Sequence, residues 1–356
     1  MTDPHAPTDV PTASRGWRRC VSRLALAAVS VLLAGTASTA LADGPSLVAA
    51  SLTPAQQRAM LEGIDAVGRR GFLYEVARPA APGGRASPTL YLYGTIHLGR
   101  VGSEPFNASV MAALRQSRRL AIEADPSDNQ STQALAMRLG QYPDGDGLQR
   151  HVSPALMARV RAFGEKNGLP AERVGRFRPW LLANMVALSS MSEAGLDPAM
   201  GSELYLAGYA RSARMPILEV EGVEAQLRML ASLPDAMQTA QLDEALADVD
   251  SAESREQTRE LFDLWLRGDR DAGNAMIDEM RRDADGKMFE RYFVETLIDQ
   301  RNRTMADRAE TYLKQPGNTF LAVGALHLFG EAGLIREFER RGYRVADLQP
   351  PLAARR

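Results

Sequence analysis

Leu92-Tyr93-Gly94-Thr95-Ile96-His97-Leu98-Gly99 and Ala322-Val323-Gly324-Ala325-Leu326-His327-Leu328-Phe329-Gly330 are written in one frame. Each is an apolar run of strand length, followed by Gly, two residues, His and Leu. Glycine at a strand end permits a sharp turn or a close backbone approach. The histidine three positions on then projects past the edge of a sheet, where open α/β sheets build their sites. If the two strands are near neighbours, both imidazoles converge on one cleft, although they lie far apart in the chain.

Working outward, residues 89–93 and 319–323 read as the strands that carry the two frames, and residues 72–77, 120–123, 216–220 and 343–348 read as four more. Residues 79–88, with Pro82-Gly83-Gly84, read as a hairpin loop. Helical patterning covers 52–70, 105–117, 154–166, 179–193, 201–211, 223–230, 235–246, 255–266, 269–281, 288–313 and 331–341. Strands at both ends and helices in the centre predict an α/β (α+β) fold. Its centre is a mixed β-sheet, with helices and a large helical insertion between the first and last strands. No linker composition follows Gly44, so residues 43–356 read as one domain with a helical subdomain at about 150–285.

The first 42 residues read as a secretory signal. Arg15, Arg18, Arg19 and Arg23 precede an apolar run from Leu24 to Leu33, and Ala40-Leu41-Ala42 is a small-residue cleavage site. The run is short for a membrane span, which takes about 20 residues. The expected location is therefore periplasmic or secreted, with no stable membrane span once the signal is cut near Ala42. Cleavage would remove Cys20 and His5, leaving His97, His151 and His327. An exported chain without cysteine has no disulfide, no thiol nucleophile and no thiolate ligand. The formal net charge of -2 gives no electrostatic case for nucleic acid as a partner.

Imidazole is both a common metal ligand and a proton carrier near neutral pH. Two histidines need carboxylates to complete a charge-balanced coordination shell, and such a His/carboxylate set suits Zn, Mn, Fe or Co. The acids best placed by the strand-end argument are Glu123 and Asp125 after one strand, and Glu219 and Glu221 around the end of another.

At these residues the sequence resembles the TraB/GumN family, which includes the TIKI proteins and looks related to the erythromycin-esterase and ChaN-like folds. Residues 91–99 and 323–328 resemble its two G-x-x-H motifs, with Gly330 and Gly333 following the second. Leu120-Ala121-Ile122-Glu123-Ala124-Asp125 resembles the strand that carries its acid. Gly195-Leu196-Asp197 and the helix after it resemble its middle block. Glu221, Glu224 and Gln226 fall at the matching places of its "L-E-x-x-E-x-Q" stretch, with Val220 in place of the usual Leu. Arg301-Asn302 and Met305 match its "R-N-x-x-M" helix.

The resemblance implies His97, Glu123 and His327 as the metal or catalytic core, with Glu221, Arg301 and Asn302 supporting it. It also implies an activity, because TIKI members are described as metal-dependent proteases and TraB-like members are linked to peptide pheromones. The expected function is thus an exported, metal-dependent, peptidase-like hydrolase acting on a peptide or small-molecule substrate. Glu123 or Glu221 would take a proton from water, Arg301 would stabilise an oxyanion or clamp a carboxylate, and Asn302 would bond a histidine or the substrate. The alternative is a non-catalytic envelope protein that binds a metal, haem, glycan or peptide ligand in the same cleft.

Overall fold

The computed structural model describes residues 71–79, 87–100, 106–125, 127–247, 249–284 and 291–349. The signal segment, the helix expected at 52–70 and most of the loop at 79–88 lie outside the described residues.

Six strands form one sheet: β1 (Phe72–Ala77), β2 (Leu90–Thr95), β3 (Ser117–Ile122), β4 (Ile217–Glu219), β5 (Asn318–Gly324) and β6 (Arg344–Asp347). Their order across the sheet is β4-β3-β5-β2-β1-β6. Strand β2 pairs parallel with β5, β5 with β3, and β3 with β4. Only β1 runs the other way, antiparallel to β2 on one side and to β6 on the other. The sheet is therefore mixed, as the sequence leads one to expect, and four parallel strands end on the same edge. All six residues of β2 are buried, as befits a strand covered on both faces. The edge strands β4 and β6 are short and only partly buried, which limits unpaired backbone at the rims.

Besides a single turn at Ala171–Val174, the helices among the described residues are α1 (Ala108–Gln116), α2 (Asn129–Gly140), α3 (Pro154–Lys166), α4 (Pro179–Glu193), α5 (Ser202–Ser212), α6 (Val223–Ala231), α7 (Asp235–Ala247), α8 (Ala252–Arg267), α9 (Arg270–Asp283), α10 (Arg301–Leu313) and α11 (Leu334–Arg340). Helices α3 and α4 start on Pro at the first turn, where its missing N–H costs nothing. Asn107 caps α1 by accepting from the Val110 N–H, so that helix begins at Ala108, three residues later than the Pro105 start read from sequence.

Two separate cores result. One lies on the sheet, around Phe72, Tyr93, Phe320, Phe329 and Phe338. The other lies inside the helical part, around Trp180, Leu181, Phe177 and Leu242. Helix α2 has no counterpart in the sequence reading. The helix expected over 288–313 is continuous from residue 291, but Phe293–Gln300 winds as a π-helix before α10 begins at Arg301. No helix among the described residues is long and apolar enough to cross a membrane.

Candidate active site

Strand β5 sits between β3 and β2, and its register sets Thr95 beside Gly324 and Ile122 beside Ala322. Three carboxyl ends therefore meet at one place, the position where an open sheet opens a crevice. His97 follows β2 by two residues. Glu123 is the residue immediately after β3. His327 lies in a single 3-10 turn, Ala325–Leu328, after β5. Both histidines, Glu123 and Arg301 line one cavity.

The glycine of the first motif is there because the two motif turns touch: a Cβ on Gly94 would come 2.6 Å from Leu328 Cδ1 and 3.2 Å from Ala325 Cα. The carbonyl of Gly94 also accepts from Trp265 Nε1 at 2.8 Å. The loop after β2 is bound in turn to the start of α5. The Ile96 N–H donates to Ser202 Oγ at 2.8 Å, and the Gly99 and Asp197 backbones exchange hydrogen bonds at 3.0 and 2.7 Å. Gly201 permits that contact, since a Cβ there would lie 2.8 Å from the His97 carbonyl oxygen.

Each imidazole has an oxygen beside Nδ1, and their pKa values are displaced in opposite directions. His97 Nδ1 stands 3.0 Å from Glu203 Oε1, and its Nε2 is buried with no hydrogen-bond partner. His327 Nδ1 meets Asn302 Oδ1 at 2.7 Å, and its Nε2 stands 3.8 Å from Glu123 Oε1. The Asn302 bond at Nδ1 fixes the His327 ring and leaves its Nε2 facing Glu123, an arrangement common around metal-bound histidines. At His97 the Glu203 oxygen stands at the same atom in salt-bridge contact, without hydrogen-bond geometry. Burial pushes the His327 imidazole down, and the Arg301 charge adds to it, so that its pKa falls to about 4. Burial also acts against a charged His97, but the Glu203 carboxylate, with Glu123 behind it, raises that ring above its ordinary value.

Glu123 is closely held. Its Oε1 accepts the Gly324 N–H at 2.6 Å, and its Oε2 accepts from Gln226 Nε2 at 3.0 Å and Arg301 Nη2 at 2.8 Å. Burial resists ionisation, but the Arg301 guanidinium and the two imidazoles hold the acid at about 2. Arg301 itself bridges two acids, donating Nε to Glu221 Oε1 at 2.8 Å and Nη2 to Glu221 Oε2 at 2.7 Å. Its Nη1 donates to the Leu297 carbonyl in the π-helix at 3.2 Å. That winding directly precedes Arg301, and π turns recur where a helix must aim one side chain. Asn302 is buried and also donates to the Ala332 carbonyl at 2.8 Å.

Glu123, Glu221, Arg301, Asn302 and His327 thus belong to one connected network, and His97, beside Glu203, lines the same cavity. Asp125 and Glu219 do not join it. The Asp125 side chain pairs with Arg211, and Glu219 accepts the Asp125 N–H. His151 is paired with Asp146 and stacked on Tyr142, away from the sheet edge. Glu203 was missed altogether, and Gln226 was noticed only as part of a longer stretch. Among the described residues, no group of three or more His, Cys, Asp or Glu side chains stands as a ready metal cluster.

Fold and site define a mixed α/β protein with a twin-histidine cleft at the carboxyl edge of its parallel strands. The chain belongs to the TraB/PrgY/gumN family, whose profile it matches over residues 83–347. It is 25% identical to the uncharacterized protein YbaP of Shigella flexneri over 253 residues, covering 71% of this chain and 88% of that protein. It is 24% identical to the uncharacterized protein YbaP of Escherichia coli strain K12 over 244 residues, covering 68% of this chain and 85% of that one. No solved structure matches it.

Proposed function

We propose that this chain is an exported, metal-dependent hydrolase that acts on peptide bonds. The observation that carries the reading is the pair of imidazoles on neighbouring parallel strands, each with Nδ1 against a buried oxygen. By type, two imidazole nitrogens and one carboxylate oxygen match a divalent ion of the Mn, Co, Zn or Fe kind. Nε2 of His97 is without a partner, though among the described residues the three groups would have to draw together around the ion. His97, His327 and Glu123 would hold it. Bound there, a divalent cation supplies a Lewis acid for a carbonyl and acidifies water.

The residues of the chain divide the remaining work. His327 is neutral at physiological pH, as a ligand nitrogen must be. Glu123 is too acidic, and too fully bonded, to take a proton near neutral pH. Its part is to place one anionic oxygen beside His327. Arg301 is engaged by Glu123 and Glu221, so it anchors and neutralises those acids instead of gripping a substrate carboxylate. Asn302 keeps the His327 ring in its plane, and Glu203 does the same for His97. Export rests on the charged, apolar and small-residue series of the first 42 residues.

Elemental analysis of purified protein, reloaded with each of the four metals, tests the reading alongside cleavage of a peptide library with and without chelator. Near-stoichiometric uptake that falls sharply in His97→Ala and His327→Ala, together with chelator-sensitive cleavage, is the expected result. Unchanged uptake in both variants, or cleavage indifferent to chelator, would overturn it.

A further inference from the structure

The cavity that the histidines line is walled mostly by hydrocarbon side chains. It measures about 100 Å³. Besides the polar groups its wall includes Leu261, Leu264, Met276, Leu297, Ile298 and Phe329. These come from α8, α9, the π-helix and the turn after β5. Leu261 and Met276 pack together apart from the main core, with Leu326 against them. Leu326 is the neighbour of His327, so the apolar wall is mounted directly on the second motif. Such a hollow is where a ligand's apolar part belongs, with a few convergent polar groups fixing its orientation.

The size narrows the choice further. The whole cavity, polar groups included, is smaller than the roughly 150 Å³ apolar cavity that accepts benzene, so its apolar share suits a branched aliphatic group and is too small for an indole. A charged side chain would leave water for a wall that offers it no partner, at considerable cost.

We infer that this hollow is the specificity pocket of the hydrolase, and that it takes a leucine-sized aliphatic side chain from the residue next to the cleaved bond. The inference rests on the hydrolase reading given above. An aliphatic acyl tail would offer the same chemistry, but a cavity of this size holds only its first few carbons.

The test uses the full chain loaded with cation and a peptide set that carries Ala, Leu, Trp, Lys or Glu at one position beside the scissile bond. Leu should exceed Ala in kcat/KM by roughly 10- to 200-fold, the range that added methylenes give in an apolar pocket, with Lys and Glu lowest. Leu261→Trp, which fills the hollow, should erase the preference for Leu. Leu261→Ala, which widens it, should move the preference toward Trp and provides a second readout should the filled variant not fold.

A binding arm needs no turnover. N-acetyl-leucine amide should shift the Met276 methyl resonance, and N-acetyl-lysine amide should not. Cleavage without side-chain preference would overturn the pocket and leave the hydrolase standing. A Met276 shift without cleavage of any peptide would uphold the pocket and overturn the hydrolase. Stronger binding of N-decanoyl amide than of the leucine amide would reassign the hollow to acyl tails and overturn the inference.

Discussion

His97 and His327 stand at the ends of adjacent strands, in the same motif and the same cavity, yet they hold opposite charge tendencies. Glu203 lifts one imidazole above its ordinary value, while at the other burial and the Arg301 charge outweigh the Glu123 and Glu221 carboxylates and the pKa falls to about 4. The motif therefore sets where a ring stands. The oxygen behind the ring, supplied by a different element, sets what the ring can do.

The largest break in this comparison comes from the cation that both rings feel. Arg301→Leu would leave Glu123 and Glu221 buried without their partner, and breaking a buried pair from one side costs about 3–5 kcal/mol. Urea unfolding should show that loss in the metal-free protein, and a loss below 1 kcal/mol would mean that the network is slack. Acid provides the next test. His327 has a folded pKa below its unfolded 6.5, so the unfolded chain takes up its proton first. Stability should fall as pH drops from 6.5 toward 4, by on the order of 3 kcal/mol, with the slope much reduced in His327→Gln. His97 has the opposite sign: its contribution is present below 6.5 and is lost as pH rises through its raised value.

Exchanging the oxygens sharpens the contrast. Asn302→Asp should raise the pKa of His327, and Glu203→Gln should lower that of His97, each by about one unit or more, equivalent to about 1.4 kcal/mol. Imidazole proton titrations by NMR would show the two rings drawing together, and unmoved titrations would transfer the control to burial alone. The smallest effect is expected at Thr95, whose hydroxyl is buried on the cavity wall with no partner. Thr95→Val removes a desolvated group and should stabilise the unliganded chain by about 1 kcal/mol, visible as a higher Tm.

The sheet was open to reading because its strands are continuous apolar runs closed by Gly, Pro or acid, the pattern that buried parallel strands require. The six strands lie within two or three residues of their expected places, and α3 and α4 begin at Pro154 and Pro179, with Ser153 capping the first. Helix α2 escaped because its buried face is made of small residues, Thr132, Ala136 and Gly140, spaced four apart. Gly140 packs so closely that a Cβ would meet Leu181 Cδ2 at 2.5 Å. Periodicity of large apolar residues, the signal for a helix, is absent on that face. The π winding before Arg301 was equally silent, since no residue type marks it.

The candidate site divides in the same way. Groups attached to strand ends, His97, Glu123, His327 and Glu221, were visible because their position follows from the strand. Arg301 and Asn302 came only from the likeness to a family. Glu203 gave no signal, because its tie to His97 exists only after the loop past β2 docks on α5 through Gly201. A charged residue early in a helix is ordinarily a solvated one, and nothing local distinguishes this one.

The middle seat of the sheet is filled by one of its last strands in chain order. A chain emerging amino end first makes β2 and β3 long before β5 exists to join them. Until Asn318–Gly324 arrives, two strand edges stand bare and the first imidazole has no second. Assembly of the cleft is thus postponed until β5 is made, and a nascent chain stalled before that point carries His97 and Glu123 without the second imidazole.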